Sequence, residues 1–420
     1  MRGLLLIDDT TPNRITYYLL VSFLVFLPFR MLYSELALIG LCLHTMINLD
    51  TKKIQHLKSA NVVVPASLYL LGLVGMLYSP DIMEALNVSG RQLAMLLFPI
   101  VLTLNGINLA RYKLVLLKIF AGTCITTIIY LFAVAFLSIH SLRLPLKSIL
   151  SPDFMNHNFS LPLDLHATYL SMYATFAVVI LLFFTRADNR KGVRVFYITG
   201  IIILMAGMIQ LSSRAALVAL LLIVNIVFPF LLPGRKKKLV FFGIVASLTL
   251  VTALFITNID SFKTRYVGEL KNDLGIDTLN VEFTEPRIHR WSAELELISK
   301  APLLGYGSGS ERKLLGRKFY EKKFYVAYFE EFNSHNQYLS FLLNMGLVGL
   351  LAFLSVLGYG FFLAWKDRDI VFFGFMIIIS VLSFSENILF LNKGIFFYSF
   401  FLSFFLLTRR EAEILRSRAG

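Results

Sequence analysis

Along most of the chain, apolar runs of membrane-spanning length alternate with short polar breaks. About twelve such runs recur, each near the ~20 helical residues needed to cross a hydrocarbon core of about 30 Å. They lie near residues 15–29, 31–48, 60–78, 89–105, 113–137, 162–184, 195–213, 214–232, 239–256, 336–364, 370–388 and 394–408. None alternates with period two as barrel strands do, so the pattern predicts helices. The predicted fold class is all-α, a polytopic integral membrane protein with about twelve transmembrane helices and one large external loop. That loop divides the chain into residues 1–256 with the first nine helices, 257–335 as the loop, and 336–420 with the last three helices and a tail. The first apolar run lacks a small-residue cleavage site and is read as a retained helix. The loop far exceeds the ~2–8 residues that usually join packed helices, and long loops tend to be functional.

Composition agrees with this picture: of 420 residues, 57% are hydrophobic and only 16% charged. The formal charge of +14 would fit a nucleic-acid binder, but its placement does not. Basic residues cluster in alternate short connections: Lys52, Lys53 and Lys58; Arg111 and Lys113; Arg186, Arg190, Lys191 and Arg194; Arg235 to Lys238; Lys366 and Arg368; and Arg409 onward. By the positive-inside rule these are cytoplasmic, together with both termini. Residues 79–88, 138–161, 257–335, 389–393 and the turn around Ser212 then face the outside. Residues 257–335 carry twelve Lys/Arg and twelve Asp/Glu, so the excess charge serves topology. Membrane lipids, and no nucleic acid, are the expected surroundings. Cys42 and Cys124 fall inside apolar spans and read as buried small hydrophobes.

Within the loop, Pro286 suits a first helical turn, Thr284 or Glu285 a cap, and Pro302 a stop, which predicts a helix over about 286–299. Its period aligns Arg287, Trp291, Glu294 and Ile298 on one stripe and sets Arg290 and Glu294 as an i,i+4 pair. The glycines of "GYGSG" then predict a tight turn with exposed backbone N–H groups. No Gly-Lys-Ser/Thr follows them, so a nucleotide loop is not implied. Gly346 and Gly349 read as close helix packing.

Ionisable residues at a membrane span are costly enough to be functional candidates. Five stand out: Arg214 in "QLSSRAALVALL", Arg265 in "FKTRY", Arg287, His335 in "FNSHNQYLSF" and Glu386 in "SFSENILF". The predicted topology puts all five on the external face. Converging arginines repel unless an anion holds them, and guanidinium pairs bidentately with phosphate oxygens, so a phosphate or diphosphate ligand is expected. The plainer alternative is that each arginine reaches for headgroups or a local acid, although Arg214 has none within its own helical turn. A histidine at His335 suits a general base for a hydroxyl nucleophile, with Asn336 and Gln337 orienting that hydroxyl; a helix-capping role through Asn333 or Ser334 competes. His166, beside Asp164, Thr168 and Tyr169, is a secondary candidate. The seven histidines form no HExxH-type pair, so no metal site is expected, and arginines would have to neutralise a departing diphosphate.

The order of "SSRAA", "RIHRW", "PLLGYG" and "HNQYLSFLLNMGLVGLL", with a weaker echo at "FSENILF", resembles the bacterial O-antigen ligase and O-antigen polymerase superfamily. The specific motifs lie between residues 211 and 351. The resemblance implies an inverting, metal-independent glycosyltransferase of the bacterial inner membrane, acting without a cofactor on its periplasmic face. Its donor would be a glycan on undecaprenyl diphosphate; its acceptor would be lipid A-core in the ligases or another lipid-linked glycan in the polymerases. Arg214, Arg265 and Arg287 match the family's diphosphate-binding arginines, and His335 matches its proposed general base. Trp291 would shield the site or stack on a sugar. Arg290 and the acids Glu330 and Glu331 depart from the family pattern, leaving open whether Arg290 shares the anion site. A single dominant loop favours a ligase over a polymerase or a protein O-oligosaccharyltransferase. A flippase or transporter would instead line a mid-membrane path with charge, which this sequence does not do.

Overall fold

The computed structural model describes residues 7–227, 257–276 and 286–419, with isolated positions between 228 and 256. The described residues are helical and contain no strand. In chain order the main helices are α1 (Thr11–Phe26), α2 (Met31–Ile47), α3 (Ala60–Met76), α4 (Ile82–Gln92), α5 (Ala94–Leu104), α6 (Leu109–Ser141), α7 (Ala167–Ala187), α8 (Lys191–Leu211) and α9 (Arg214–Leu222). The loop contributes α10 (Arg287–Ile298) and α11 (Glu311–Glu321), followed by α12 (Gln337–Lys366), α13 (Ile370–Leu382) and α14 (Asn392–Ala419). Polar side chains start several of them by accepting orphan N–H groups: Thr10 for α1, Asp81 for α4, Asn108 for α6 and Asp369 for α13. The Asp81 cap starts α4 several residues before the apolar run that predicted a span at 89–105.

Among the described residues, four single helices, α6, α7, α8 and α12, and the stretch α4–α5 are long and apolar enough to cross a membrane. The pair α2 and Thr51–Lys58, bent by 118°, makes a sixth if counted as one broken span. The protein is thus membrane-type, while the figure of about twelve spans goes beyond these helices. Part of the difference is length: α3 has 17 residues and α13 has 13, short of the ~20 a straight crossing needs. The predicted ninth span over 239–256, the proposed Thr284 or Glu285 cap and the basic run Arg235 to Lys238 lie outside the described residues. Helix α7 forms the centre, with 83% of its apolar window buried, whereas α8 has 28% buried and turns its apolar side chains outward. Phe120, Phe176, Phe375, Phe397 and Phe401 pack ring against ring around α7.

Polar connections segregate to two ends. At one end Lys53 Nζ donates to the Asn105 carbonyl (2.6 Å), Tyr112 Oη donates to Asp9 (2.7 Å), and the Ala110 N–H donates to Glu411 (2.8 Å). At the other, Gln210 donates to the Ile149 carbonyl (2.7 Å), Tyr78 Oη to the Leu304 carbonyl (2.7 Å), and Lys313 pairs with Asp81 (3.4 Å). The sequence segments assigned to opposite sides therefore meet their own kind.

The loop is stitched into the bundle. Gly346 breaks α12 with φ 60° and ψ −157°, a conformation essentially confined to glycine. The break frees two carbonyls and two N–H groups, and residues 302–307 fill them. Tyr306 and Gly307 donate to the carbonyls of Leu343 (3.0 Å) and Asn344 (2.8 Å); Leu347 and Val348 donate to those of Pro302 (2.8 Å) and Leu303 (3.3 Å). The N–H of Ser308 reaches the Gly75 carbonyl (3.1 Å). These amides of the glycine turn, expected to be exposed, are thus taken by helix carbonyls. Gly346, expected to serve helix packing, receives the loop instead: a Cβ there would stand 2.3 Å from the Leu303 carbonyl carbon. Gly346→Ala is expected to cost roughly 2–5 kcal/mol from backbone strain and overpacking, read as a lower thermal midpoint of the detergent-solubilised protein.

Candidate functional site

The three candidate arginines reach one region from three elements. Ser212 turns the chain with φ 52°, and Arg214 follows as the first residue of α9. Arg265 lies in a π-helical turn, Thr264–Gly268, between the short helices Asp260–Lys263 and Glu269–Asp273. Arg287 opens α10, with Pro286 one position earlier than expected, at the cap. Asp273, unremarked in the sequence, bridges two of them: Arg214 Nη2 at 2.5 Å and Arg287 Nε at 3.5 Å. Arg265 pairs with Glu269 four residues on. Protein carboxylates thus help hold the cluster, which corrects the expectation that only a ligand anion could. They do not saturate it. Arg214 Nη1 and Arg265 Nε are buried without a hydrogen-bond partner, and an unmet donor in such surroundings costs free energy until an acceptor arrives.

The imidazole stands next to this cluster. His335 Nδ1 lies 3.3 Å from Glu386 Oε2, and the neighbouring Ser385 carbonyl accepts Arg287 Nη1 at 3.1 Å. Burial pushes the Glu386 carboxyl up, but the His335 hydrogen bond and the charges of His335, His166 and Arg287 more than offset it, leaving it below its ordinary value. An ionised carboxylate only accepts, so the proton of neutral His335 sits on Nδ1, and the Nε2 lone pair is left to accept another. His335 itself has φ 46°, fixed by its N–H donating to Asn333 Oδ1 (2.9 Å).

The remaining candidates surround this pair. Asn336 caps α12, accepting from the N–H groups of Tyr338 and Leu339, while its own N–H donates to Asn387 Oδ1 (2.7 Å). Trp291 Nε1 donates to the Ser334 carbonyl (2.8 Å), giving the indole an anchoring contact. Arg290 lies 4.8 Å over the ring of Phe332, which in turn meets the His335 ring at 5.8 Å. The expected Arg290–Glu294 pair is not made: both Glu294 oxygens are buried without a hydrogen bond. Burial first, and the charge of Glu311 second, raise the Glu294 carboxyl well above its ordinary value, which favours its protonated form.

His166 caps α7, its Nδ1 accepting the Thr168 N–H at 3.3 Å, and its ring lies 4.1 Å from that of His157. Glu386, His335, Arg265 and Arg287 are its ionisable neighbours. His157 Nδ1 accepts the Ala167 N–H (3.5 Å), and its pKa is pushed down to about 4 by burial, by His166 and by Arg265. It is therefore a neutral donor through Nε2. With Arg265 it lines a cavity of about 530 Å³.

Sequence reasoning also missed Glu311 and Asn387. Glu311 is 6% exposed and gathers the segment around His335: Oε1 accepts the Ser334 N–H (3.1 Å), the Ser334 hydroxyl (3.0 Å) and Asn387 Nδ2 (3.0 Å). Its Oε2 accepts the Ser340 hydroxyl and Asn344 Nδ2 (3.2 Å). The available signal was an acid directly after a glycine turn, and an amide next to Glu386. Among the described residues, no three His, Cys, Asp or Glu side chains group as metal ligands would.

The fold and this cluster define a helical membrane protein with a guanidinium- and imidazole-lined site at one end of its bundle. Residues 199–354 match the model of the O-antigen ligase family, in agreement with the resemblance of the motifs. The match covers Arg214, Arg265, Arg287 and His335 and ends before Glu386. No curated protein matches the chain.

Proposed function

We propose that the protein is an inverting, metal-independent glycosyltransferase that moves O-antigen glycan from undecaprenyl diphosphate to a sugar hydroxyl of lipid A-core. The observation that carries this reading is the His335–Glu386 pair beside guanidinium groups with unmet donors. The acceptor hydroxyl gives its proton to His335 Nε2 while its oxygen attacks the anomeric carbon. The bond from that carbon to the diphosphate oxygen breaks, and the electron pair leaves with the diphosphate. Arg214, Arg265 and Arg287 bind the growing negative charge, which stabilises the transition state more than the bound substrate. Glu386 orients His335 and balances its charge once protonated. Trp291 and Asn336 brace the histidine segment, Arg290 backs it through Phe332, and His166 borders the donor. By the positive-inside distribution, this end faces the periplasm and both termini the cytoplasm.

The test is transfer by purified protein in the absence of divalent metal, with undecaprenyl-diphosphate glycan as donor and lipid A-core offered beside a second lipid-linked glycan. Extension of lipid A-core is expected. Extension of the second glycan alone would reassign the protein as a polymerase. Donor binding without any product would leave a transporter and overturn the enzymatic reading.

A further inference from the structure

A second cavity of about 530 Å³ lies against the loop, lined by Tyr328, Phe329 and Phe332 and by the charged side chains Arg317, Glu84 and Asp81. Its aromatic faces are open: Phe329 is 76% and Tyr328 37% exposed, with their rings 5.3 Å apart. Its charges are mixed, with Arg312, Lys313 and Arg317 set among Asp81, Glu84 and Glu331. Arg312 pairs with Glu331, and Lys313 with Asp81 at 3.4 Å, while Arg317 makes no ion pair among the described residues. Donors and acceptors in near balance beside exposed aromatic rings suit a sugar, whose hydroxyls both give and take hydrogen bonds and whose C–H faces stack on rings. The floor is firm, because Gly309, at φ 77°, abuts the backbone of α4 so closely that a Cβ would lie 2.7 Å from the Ala85 nitrogen.

Phe332 connects this cavity to the chemistry, since the same ring that lines it packs against His335 at 5.8 Å. The groups suited to a leaving diphosphate come from other elements: α9, the 260–273 segment and α10. In-line displacement brings the nucleophile in opposite the leaving group, so an acceptor approaches His335 away from the arginines. We propose that the cavity under Tyr328 and Phe329 is the acceptor subsite, holding the hydroxyl-rich saccharide that flanks the attacking hydroxyl. The proposal rests on the transferase reading for its role, but not for its ligand.

The test therefore has two arms. Core oligosaccharide freed of its lipid is titrated against the full-length, detergent-solubilised protein by calorimetry. Binding is expected, weakened about tenfold or more in Tyr328→Ala/Phe329→Ala and in Arg317→Ala, with binding of undecaprenyl-diphosphate glycan unaltered. In the transfer assay the same variants should raise the acceptor KM about tenfold and leave the donor KM in place. These exposed positions tolerate substitution, and an unchanged thermal midpoint verifies it. A wild type that does not bind the oligosaccharide, or variants that weaken donor binding instead, would overturn the subsite. Oligosaccharide binding that the variants abolish, in a protein that transfers nothing, would keep the subsite and discard the transferase reading.

Discussion

Replacing His335 with alanine is expected to lower glycan transfer by about 10²–10⁴-fold, the usual contribution of a positioned general base, while donor binding persists. The separation follows from the geometry. The groups with unmet donors are guanidiniums, and the substitution touches none of them. His335 contributes instead a lone pair held on Nε2 because Nδ1 faces Glu386. Since φ at this position is 46°, His335→Asn is the better companion variant: asparagine tolerates the left-handed region and keeps the backbone, but cannot act as the base. Single-turnover rates and donor binding on both variants check the expectation. Equal loss of rate and donor affinity would instead make the histidine a ligand-binding or structural group. The linked pH dependence has a defined sign. Glu386 has its folded pKa depressed below the ordinary 4.5, so the stability it contributes is present above that value and is lost as pH falls through the depressed one.

Glu311→Ala is expected to be the most damaging change away from the reacting atoms. The carboxylate serves Ser334, Ser340, Asn344 and Asn387 at once, and its removal leaves several buried donors unmet at about 1–3 kcal/mol each. A loss of roughly 3–5 kcal/mol should appear as a lower thermal midpoint. Glu311→Gln preserves the shape but turns one acceptor into a donor facing other donors. It should lower kcat more than it changes the donor KM, because Ser334 and Asn387 are the neighbours that aim His335 and Glu386. A Gln variant with wild-type kcat would reduce Glu311 to a packing role.

The helical class and the candidate residues were legible because they obey local rules. Apolar runs announce spans, and a charge such as Arg214 or Glu386 at the edge of one is conspicuous. The partners of those charges were not legible, since they come from distant positions: Asp273 joins Arg214 and Arg287 across separate elements, and Asn387 meets Asn336 from beyond α13. Periodicity placed Arg290 and Glu294 one turn apart, yet the Glu294 oxygens are buried without a hydrogen bond and Arg290 lies over Phe332. Gly346 looked like any small residue of a packed helix. Only tertiary context distinguishes a glycine that lets helices approach from one that interrupts its own helix.

The interruption at Gly346 bears on how substrates come and go. Backbone rivets fasten the loop to the two halves of a membrane helix, and His335 sits just upstream of that same helix. Swinging the loop outward as a flap would tear those rivets and unseat the base with them. The proposed transferase would then turn over through standing portals, with bulky glycans threading past a mouth that keeps its shape.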